Sequence, residues 1–291
     1  MQRLTKFEYV FPQNLTEAFV ILKEEGAGAK ILAGGTDVLV AIKEKGLKPA
    51  VLVDLKGLSE LKGIKVNEDG SVEIGALTTL HEVEMSPLIR KNYSALADAA
   101  GYVGSYPVRN RATLGGNVCN AAPSADTSPA LIAFQAKANI VGPEGSRSIA
   151  LEEFFTGPGK SVLQPGELLA SFSLPAADAR MGGAYLKHGP REAMDIAIAG
   201  VAATVLMDEQ GICRQARIVM GAVASTPLRA KTAEEILVGQ KISTDLIAKA
   251  GEIAGGEARP ISDLRSSADY RRKMVIVLTR RALHEALSKI S

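Results

Sequence analysis

The residues best suited to bind a ligand lie at two Gly-Gly corners of the sequence. The first corner is in ILAGGTDVLV, residues 31–40, where Gly34 and Gly35 follow one apolar run and precede another. A strand, a glycine turn and the start of a helix expose backbone N–H groups that suit a phosphate or diphosphate. The lysine of a P-loop and the GxGxxG spacing are both absent, and such a bend also occurs as an ordinary turn.

Two further residue types shape the prediction at the first corner. Glycine matters there because a Cβ atom would keep the main chain away from phosphate oxygens. Thr36 adds a hydroxyl donor. Asp37 would repel a phosphate if it faced one, so we predict that Asp37 caps the following helix and points away from the ligand.

The second corner lies in RNRATLGGNVCNAAPSADTSPAL, residues 109–131. Gly115 and Gly116 precede a long loop of small residues, and a ligand can lie close along the backbone of such a loop. The corner and its loop also supply neutral hydrogen-bonding side chains, namely Thr113, Asn117, Asn120 and Ser124. Two such corners in one domain could hold a single diphosphate from both sides.

Charged residues flank the second corner. Arg109 and Arg111 could neutralise phosphate charge, or they could equally face solvent or a partner protein. Asp126 is the lone acid in an otherwise uncharged loop. Its carboxylate could accept two hydrogen bonds from a ribose, or it could form an ordinary Asx turn before Thr127.

Alternating strand and helix patterns must position these corners. A helix capped by Asn14 or Thr16 and ending at Glu25 precedes a short buried strand over residues 31–33 and a helix over residues 38–45. Later strand patterns are PAVLVDL, a hairpin that turns at Asp69-Gly70, KANIVGPEGSRSIAL and ELLASFSLP. Helices are predicted after Thr78 or Thr79, with a break near Ser86-Pro87. The fold class is therefore α+β.

The short polar segment PAADARMGG, residues 175–183, marks a predicted domain boundary. We expect residues 1–175 to form one domain, with subdomains of about 1–55 and 56–175, and residues 180–291 to form a second. In the second domain, three strand patterns and three helix patterns predict a small antiparallel sheet with helices on one face. The helix patterns cover residues 229–238, 244–254 and 267–289.

Composition excludes several classes of partner. Basic and acidic residues number 34 and 32, a near balance that predicts no binding of nucleic acid. The longest apolar run, Ile196–Met207, is well short of the roughly 20 residues of a membrane span, so a cytoplasmic protein is expected. Cys119 and Cys213 are far apart and the three histidines are isolated, so we expect no metal or iron–sulfur site on this chain. Redox chemistry would need an organic cofactor or a partner.

Two motifs carry a resemblance to a known family. AGGTD (residues 33–37) and RNRATLGGN (109–117), in this order and with this separation, closely resemble the FAD-binding medium subunits of the molybdenum hydroxylases, such as the flavin subunits of carbon monoxide dehydrogenase and xanthine dehydrogenase. The resemblance covers essentially the whole chain, and residues 184–203 resemble the start of that family's C-terminal domain. It implies a two-lobed FAD-binding domain of the PCMH/VAO type, followed by a domain like the C-terminal domain of the carbon monoxide dehydrogenase flavoprotein.

The resemblance also implies where FAD binds. An extended FAD would place its diphosphate between residues 33–37 and 113–117. Asp126 matches an acid near the adenosine end, whereas Leu169 and Lys187 match positions near the flavin, where a cation stabilises the anionic reduced ring. Tyr185 would stack on the ring or pack in the sheet. The complete set of expected FAD-binding residues is Ile31, Leu32, Ala33, Gly34, Gly35, Thr36, Asp37, Val103, Thr113, Gly115, Gly116, Asn117, Asn120, Ser124, Asp126, Leu169, Tyr185 and Lys187.

The implied function is electron transfer within a larger enzyme. Electrons would pass from a large molybdenum-cofactor subunit through a small [2Fe–2S] subunit to FAD on this chain, and then to NAD, a quinone, ferredoxin or oxygen. A dimer of heterotrimers is expected, with no catalytic acid or base on this chain. The chain lacks a cysteine-rich insert, which favours the carbon monoxide dehydrogenase-like or aldehyde and purine hydroxylase types over benzoyl-CoA-type reductases. The alternatives are a free-standing FAD-dependent oxidase or reductase of the same fold and a nucleotide-binding scaffold.

Overall fold

The first lobe is built on a small parallel sheet. Within residues 6–191 and 194–290, which a computed structural model describes, this sheet has three strands in the order β1-β3-β2. The elements of the lobe are β1 (Glu8–Val10), α1 (Leu15–Glu25), β2 (Ala29–Leu32), α2 (Val38–Glu44) and β3 (Val51–Asp54). Of the two predicted caps, Asn14 begins α1, because its side chain accepts a hydrogen bond from the N–H of Glu17 at 2.9 Å.

The first glycine corner follows β2, and β2 is held in place by the buried strand β3 with which it pairs. Val51, Leu52 and Val53 are all buried, as expected for a central parallel strand that is covered on both faces. Leu22 of α1 packs in the cluster that holds Val51 and Val53, and Ile42 of α2 packs in the cluster that holds Leu52. The neighbouring strand β2 is thereby held in place, and the chain turns at its end toward the second lobe.

The second lobe is built on an antiparallel sheet. In the part of the chain described after the first lobe, this sheet has five strands in the order β4-β5-β10-β6-β7, and β8 and β9 form a separate hairpin. The elements are β4 (Ile64–Val66), β5 (Val72–Gly75), α3 (Leu80–Met85), α4 (Pro87–Asn92), α5 (Ser94–Gly101), α6 (Tyr106–Arg109), α7 (Leu114–Cys119), α8 (Thr127–Ala133), β6 (Lys137–Gly142), β7 (Gly145–Ala150), β8 (Phe155–Gly157), β9 (Lys160–Ser161) and β10 (Leu168–Leu174).

Local signals in the second lobe agree with the predictions. The first hairpin turns at Gly70, whose φ of 79° favours glycine. Thr79 begins α3 with a capping box, in which its side chain and that of Glu82 exchange hydrogen bonds with backbone N–H groups. Ser86 ends α3 and also begins α4, with Pro87 at the first helical position.

The prediction of a long loop after the second corner is wrong. Residues 109–131 contain α7 and most of α8. Thr113 begins α7, because its hydroxyl accepts a hydrogen bond from the N–H of Gly116 at 3.1 Å. Every residue of α8 is buried. A helix that is buried all round has no polar face, so its small residues look like a loop when only the sequence is read.

The C-terminal domain is a second antiparallel sheet covered by helices. The described residues of this domain form four strands in the order β11-β12-β13-β14. The elements are β11 (Met181–His188), β12 (Ala199–Met207), β13 (Cys213–Gly221), β14 (Leu228–Arg229), α9 (Lys231–Glu235), α10 (Thr244–Glu257) and α11 (Ala268–Ser288). The predicted sheet lacked β14, in which Leu228 and Arg229 pair with β13. In place of the predicted helix over 229–238, the observed helix covers only Lys231–Glu235.

Contacts between the second lobe and the C-terminal sheet fix the position of β11. The hydroxyl of Ser94 donates a hydrogen bond to the carbonyl oxygen of Gly183 at 2.7 Å, and that of Thr204 donates to Ala133 at 3.0 Å. Gly183 leaves room for the ring of Phe134, from which an added Cβ would lie 2.7 Å. These contacts hold β11 beside α5 and β12 beside α8. Across the described helices, none combines the length and apolar character needed to cross a bilayer.

A buried arginine is held by an acid just before α11. Arg271 is only 3% exposed, and it donates hydrogen bonds to the carbonyl oxygen of Ile198 at 2.7 Å and to Asp263 at 2.8 Å. The N–H of Arg265 also donates to Asp263 at 2.9 Å. These bonds, of which that from Arg265 has the largest effect, hold the pKa of Asp263 at about 2.

Replacing Asp263 by asparagine should lower stability at neutral pH, with an effect that shrinks in acid. The folded-state pKa of about 2 lies below the usual value. Ionised Asp263 therefore stabilises the fold above about pH 4, and this contribution is lost as the pH falls through the folded-state pKa. Urea unfolding at a series of pH values measures the free energy of unfolding of the wild type and of the variant. Their stabilities should converge in acid, and a constant difference would contradict the prediction.

Candidate functional site

A cleft of about 870 Å³ lies between the first and second lobes, and both glycine corners line it. Its volume falls within the range of small-molecule and cofactor sites. The predicted site residues that line the cleft are Ile31, Ala33, Gly34, Gly35, Thr36, Asp37, Val103, Thr113, Gly116, Asn117, Asn120, Ser124 and Asp126. The predicted residues outside its lining are Leu32, Gly115, Leu169, Tyr185 and Lys187.

The first corner lines this cleft with residues whose backbone N–H groups make no hydrogen bond to another described residue. Among residues 6–191 and 194–290, no oxygen accepts a hydrogen bond from the N–H of Gly34, Gly35 or Thr36. Gly35 has a φ of 85°, a conformation that favours glycine and turns the chain sharply after β2. Because α2 is only seven residues long, the loop amides rather than a helix dipole make this corner suitable for an anion.

The structure shows that close packing within the protein requires glycine at positions 34 and 115. A Cβ at Gly34 would lie 2.1 Å from the carbonyl oxygen of Arg111, so this glycine lets the first lobe touch the second. A Cβ at Gly115 would lie 2.6 Å from the Cβ of Ala76, so Gly115 is needed for packing against the chain after β5. At both positions the space that a side chain would need is occupied by protein atoms, so packing within the protein is sufficient to require glycine there.

The backbone donors of the second corner are already used within the protein. The N–H groups of Leu114 and Gly115 donate to Thr78 and Ala76, and that of Asn117 donates to Thr113. The prediction of a second amide cradle is therefore wrong for residues 114–117, because capping of α7 and contacts with the chain before α3 take these donors. The second corner contributes side chains to the cleft instead.

Asp37 does not cap α2 with its side chain. It occupies the residue before the helix, but its carboxylate accepts a hydrogen bond from the Nδ2 of Asn120 at 3.2 Å, across the cleft. Partial desolvation by the surrounding protein raises the pKa of Asp37, although the residue keeps contact with solvent at the cleft. The predicted role as a helix cap is wrong, because the second lobe supplies a hydrogen-bond donor that the sequence does not reveal.

Asp126, Tyr185 and Lys187 form a buried polar group beside the cleft. Tyr185 donates a hydrogen bond to Asp126 at 2.7 Å, and the ammonium group of Lys187 lies 2.8 Å from the other carboxylate oxygen. Burial raises the pKa of Asp126, and the attraction of Lys187 offsets part of this effect. Gly200 leaves room for the Tyr185 hydroxyl, which would lie 2.5 Å from an added Cβ. The site therefore has a carboxylate held by two donors.

This contact contradicts the expected separation of Asp126 and Lys187. An extended dinucleotide has ends much farther apart than one hydrogen bond, so the two residues cannot serve its opposite ends. Lys187 also lines a smaller cavity of about 430 Å³ that shares Met194 and Asp195 with the cleft. The pair therefore lies in one place, where the cleft meets the smaller cavity.

The remaining expected contacts fall mostly within the protein core. Tyr185 is 2% exposed and packs its ring edge-on to Tyr102, which supports packing in the sheet rather than stacking on a ligand. Leu169 is buried in the hydrophobic core of the second lobe. Arg109 is paired with Glu84 at 2.8 Å and is not part of the cleft lining.

The cleft also contains residues that the sequence did not single out. Two lysines and several apolar residues of the first lobe line it, namely Lys30, Val38, Val40, Ala41, Lys45 and Leu47. Gly159, at the tip of the β8–β9 hairpin, closes another side, and its N–H donates to Ala121 at 2.9 Å. Lys30 is the one charged residue of β2 and is exposed there, so its residue type could have indicated it. No local pattern marks Gly159, because its place depends on a contact across 38 residues of chain, from 121 to 159.

The fold is that of a two-domain protein whose first domain has a cleft between two lobes, with a volume in the range of cofactor sites. A family described as the FAD binding domain in molybdopterin dehydrogenase matches residues 5–177, and the CO dehydrogenase flavoprotein C-terminal domain matches residues 184–286. The chain therefore belongs to the FAD-binding medium subunits of molybdenum hydroxylase-type dehydrogenases. Its cofactor is FAD, and it is an oxidoreductase component.

Individual relatives agree over nearly the full chain. The carbon monoxide dehydrogenase medium chain of Hydrogenophaga pseudoflava is 33% identical over 285 residues, which cover 98% of each chain. The putative xanthine dehydrogenase FAD-binding subunit of Escherichia coli (strain K12) is 34% identical over 261 residues, 89% of each chain. A solved carbon monoxide dehydrogenase from Hydrogenophaga pseudoflava superposes with a TM-score of 0.95 at 33% identity and covers 100% of both chains. The relatives are named as subunits or medium chains.

Proposed function

We propose that this chain is the electron-transfer subunit of a cytoplasmic molybdenum hydroxylase. It would assemble with a small [2Fe–2S] subunit and a large molybdenum-cofactor subunit into a dimer of heterotrimers. Electrons would reach this chain from the small subunit and leave to an external acceptor such as NAD, a quinone or oxygen. Family membership supports this proposal, since relatives carry names of subunits of such dehydrogenases.

The observation that carries the proposal is that the first corner lines the cleft with residues whose N–H groups have no hydrogen-bond partner in the described part of the chain. The N–H groups of Gly34, Gly35 and Thr36 are the donors we assign to the diphosphate of FAD. The pair of Asp126 and Lys187 would then lie toward the flavin end, which agrees with its place between the cleft and the smaller cavity. Side chains of Asn117, Asn120 and Ser124 would complete the binding site.

FAD supplies one- and two-electron redox chemistry when it is bound. The chain's own residues bind and orient the cofactor and set the charge near it. Tyr185 holds the carboxylate of Asp126, which in turn holds the ammonium group of Lys187. Neither contact requires a proton to be transferred during turnover, so the site acts through position and charge.

Purification from the native host tests the proposed function. The expected result is a yellow protein that copurifies with two partners, one carrying iron and sulfide and one carrying molybdenum. The isolated chain with FAD should reduce only artificial dyes. Turnover of a small substrate by the isolated flavoprotein would instead support a free-standing oxidase or reductase, and a colourless protein that binds no FAD would refute both.

Replacing Asp126 by asparagine should raise the reduction potential of bound FAD. The substitution keeps the shape of the side chain but removes a negative charge, which leaves the ammonium group of Lys187 uncompensated near the flavin end. The anionic reduced flavin is then stabilised, and we expect a shift of roughly 30 mV, equivalent to about 1.4 kcal/mol for two electrons. Spectroelectrochemical titration measures this potential. An unchanged potential in a variant that retains FAD would place the pair away from the ring.

A further inference from the structure

A carboxylate lies beside the donors assigned to the diphosphate. Asp37 directly follows the free amides of Gly34, Gly35 and Thr36, and it lines the same cleft. Its hydrogen bond from Asn120 comes from a neutral amide group on the second lobe. Such a donor can bind a carboxyl group in either protonation state. The contact therefore fixes the position of Asp37 without fixing its charge.

The other charged groups of the cleft leave Asp37 as the acid that can respond to a ligand. The charged side chains that line the cleft with it are Lys30, Lys45, Asp126 and Asp195. Each of the other two acids has a cationic partner. Asp126 lies 2.8 Å from the ammonium group of Lys187, and Asp195 lies 3.4 Å from the guanidinium group of Arg191. Lys45 attracts the Asp37 carboxylate, but desolvation has the larger effect and raises its pKa. Cys119 also lines the cleft, and burial raises the pKa of its thiol to about 12, so it stays neutral.

We propose that binding of FAD to this cleft is coupled to uptake of a proton by Asp37. The proposal rests on the placement of FAD given above. A diphosphate at the neighbouring amides would repel an ionised carboxylate at short range. Protonation removes this repulsion, keeps the hydrogen bond from Asn120 to one carboxyl oxygen, and turns the other into an O–H donor for a phosphate oxygen.

The affinity for FAD should therefore increase as the pH falls. Repulsion by the diphosphate makes the pKa of Asp37 higher in the complex than in the free protein. Affinity is weakest and constant above the pKa of the complex, and strongest below that of the free protein. Between these two values, each pH unit changes the affinity by up to about tenfold, and binding takes up a proton.

Isothermal titration calorimetry of the deflavinated full-length chain with FAD tests the proposal. Titrations between about pH 5 and pH 8, in pairs of buffers with different ionisation enthalpies, give both the dissociation constant and the number of protons taken up. We expect the affinity of the wild type for FAD to increase about tenfold as the pH falls from about 8 to about 5. Asp37→Asn should bind FAD about tenfold more tightly at the upper pH and lose both the pH dependence and the proton uptake.

A matched variant and two contrary outcomes make the test decisive. Asp245→Asn removes the same charge from an exposed position in the first turn of α10, outside the cleft lining, and should leave the affinity and its pH profile unchanged. Weaker binding by Asp37→Asn without proton uptake would show that Asp37 accepts a hydrogen bond from FAD, and would overturn the proposal. A wild-type affinity for FAD that does not change with pH would also overturn the proposal. Absence of FAD binding at every pH would instead refute the proposed function itself.

Discussion

An alanine at position 34 should give a folded protein that no longer retains FAD. Its Cβ would lie 2.1 Å from the carbonyl oxygen of Arg111 and 2.8 Å from the Cα of Ala112, and a rotamer change cannot move these backbone atoms. The two lobes must separate at this contact, which shifts the free amides relative to the second corner. We expect a loss of about 3 kcal/mol in binding free energy, or about a hundredfold in affinity. Flavin content after gel filtration and calorimetry measure this loss.

The chain offers a matched control for this substitution. Gly256 lies in α10, and an added Cβ there would meet no atom within 4 Å. Gly256→Ala should bind FAD as the wild type does, and its stability should rise by about 0.5–1 kcal/mol, because alanine favours a helix. If Gly34→Ala bound FAD with unchanged affinity, the contact between the lobes would not shape the cofactor site.

Replacing Lys187 by methionine should destabilise the protein, and more strongly at high pH. The substitution removes the cation from the buried carboxylate of Asp126, whose pKa burial already raises. An acid with a raised folded-state pKa costs stability as the pH rises from its unfolded value through the folded one. We expect a loss of about 3 kcal/mol at about pH 8 and a smaller loss at about pH 5. Urea unfolding followed by circular dichroism measures the loss of stability at each pH.

A double substitution identifies the cause of that loss. Lys187→Met combined with Asp126→Asn replaces the buried charge by a neutral amide, so most of the stability lost at high pH should return. The hydrogen bond from Tyr185 keeps an acceptor in this variant. If the double variant were as unstable as Lys187→Met at every pH, lost packing of the lysine stem, rather than an unpaired carboxylate, would explain the effect.

Sequence patterns predicted much of the fold where short-range contacts decide it. The cap at Asn14, the capping box at Thr79 and the break at Ser86 are each made by residues within four positions of one another. The buried strand β3 was visible as an apolar run, since both of its faces are covered. Helix α8 was missed for the opposite reason, because complete burial removed the polar face that reveals a helix.

The candidate site was predicted less completely. Both corners were found, and most of the expected residues line one cleft. Their roles were harder to infer, because the same motif can offer donors to a ligand or use them internally. The donors at Gly34 remain free, whereas those at Gly115 bind the chain beside β5. The resemblance placed Asp126 and Lys187 at opposite ends of the cofactor, although folding brings these residues, 61 positions apart in the sequence, into contact.

By itself, the sequence determined the family, much of the order of strands and helices, and the two glycine corners that line the cleft. These features depend on residue types within a few positions, which limit the backbone locally. Only the tertiary structure decided what Gly34 touches, which donor holds Asp37 and which cation meets Asp126. Those contacts join distant parts of the chain, and they exist only because the three larger sheets of the described residues and their helices pack in one arrangement.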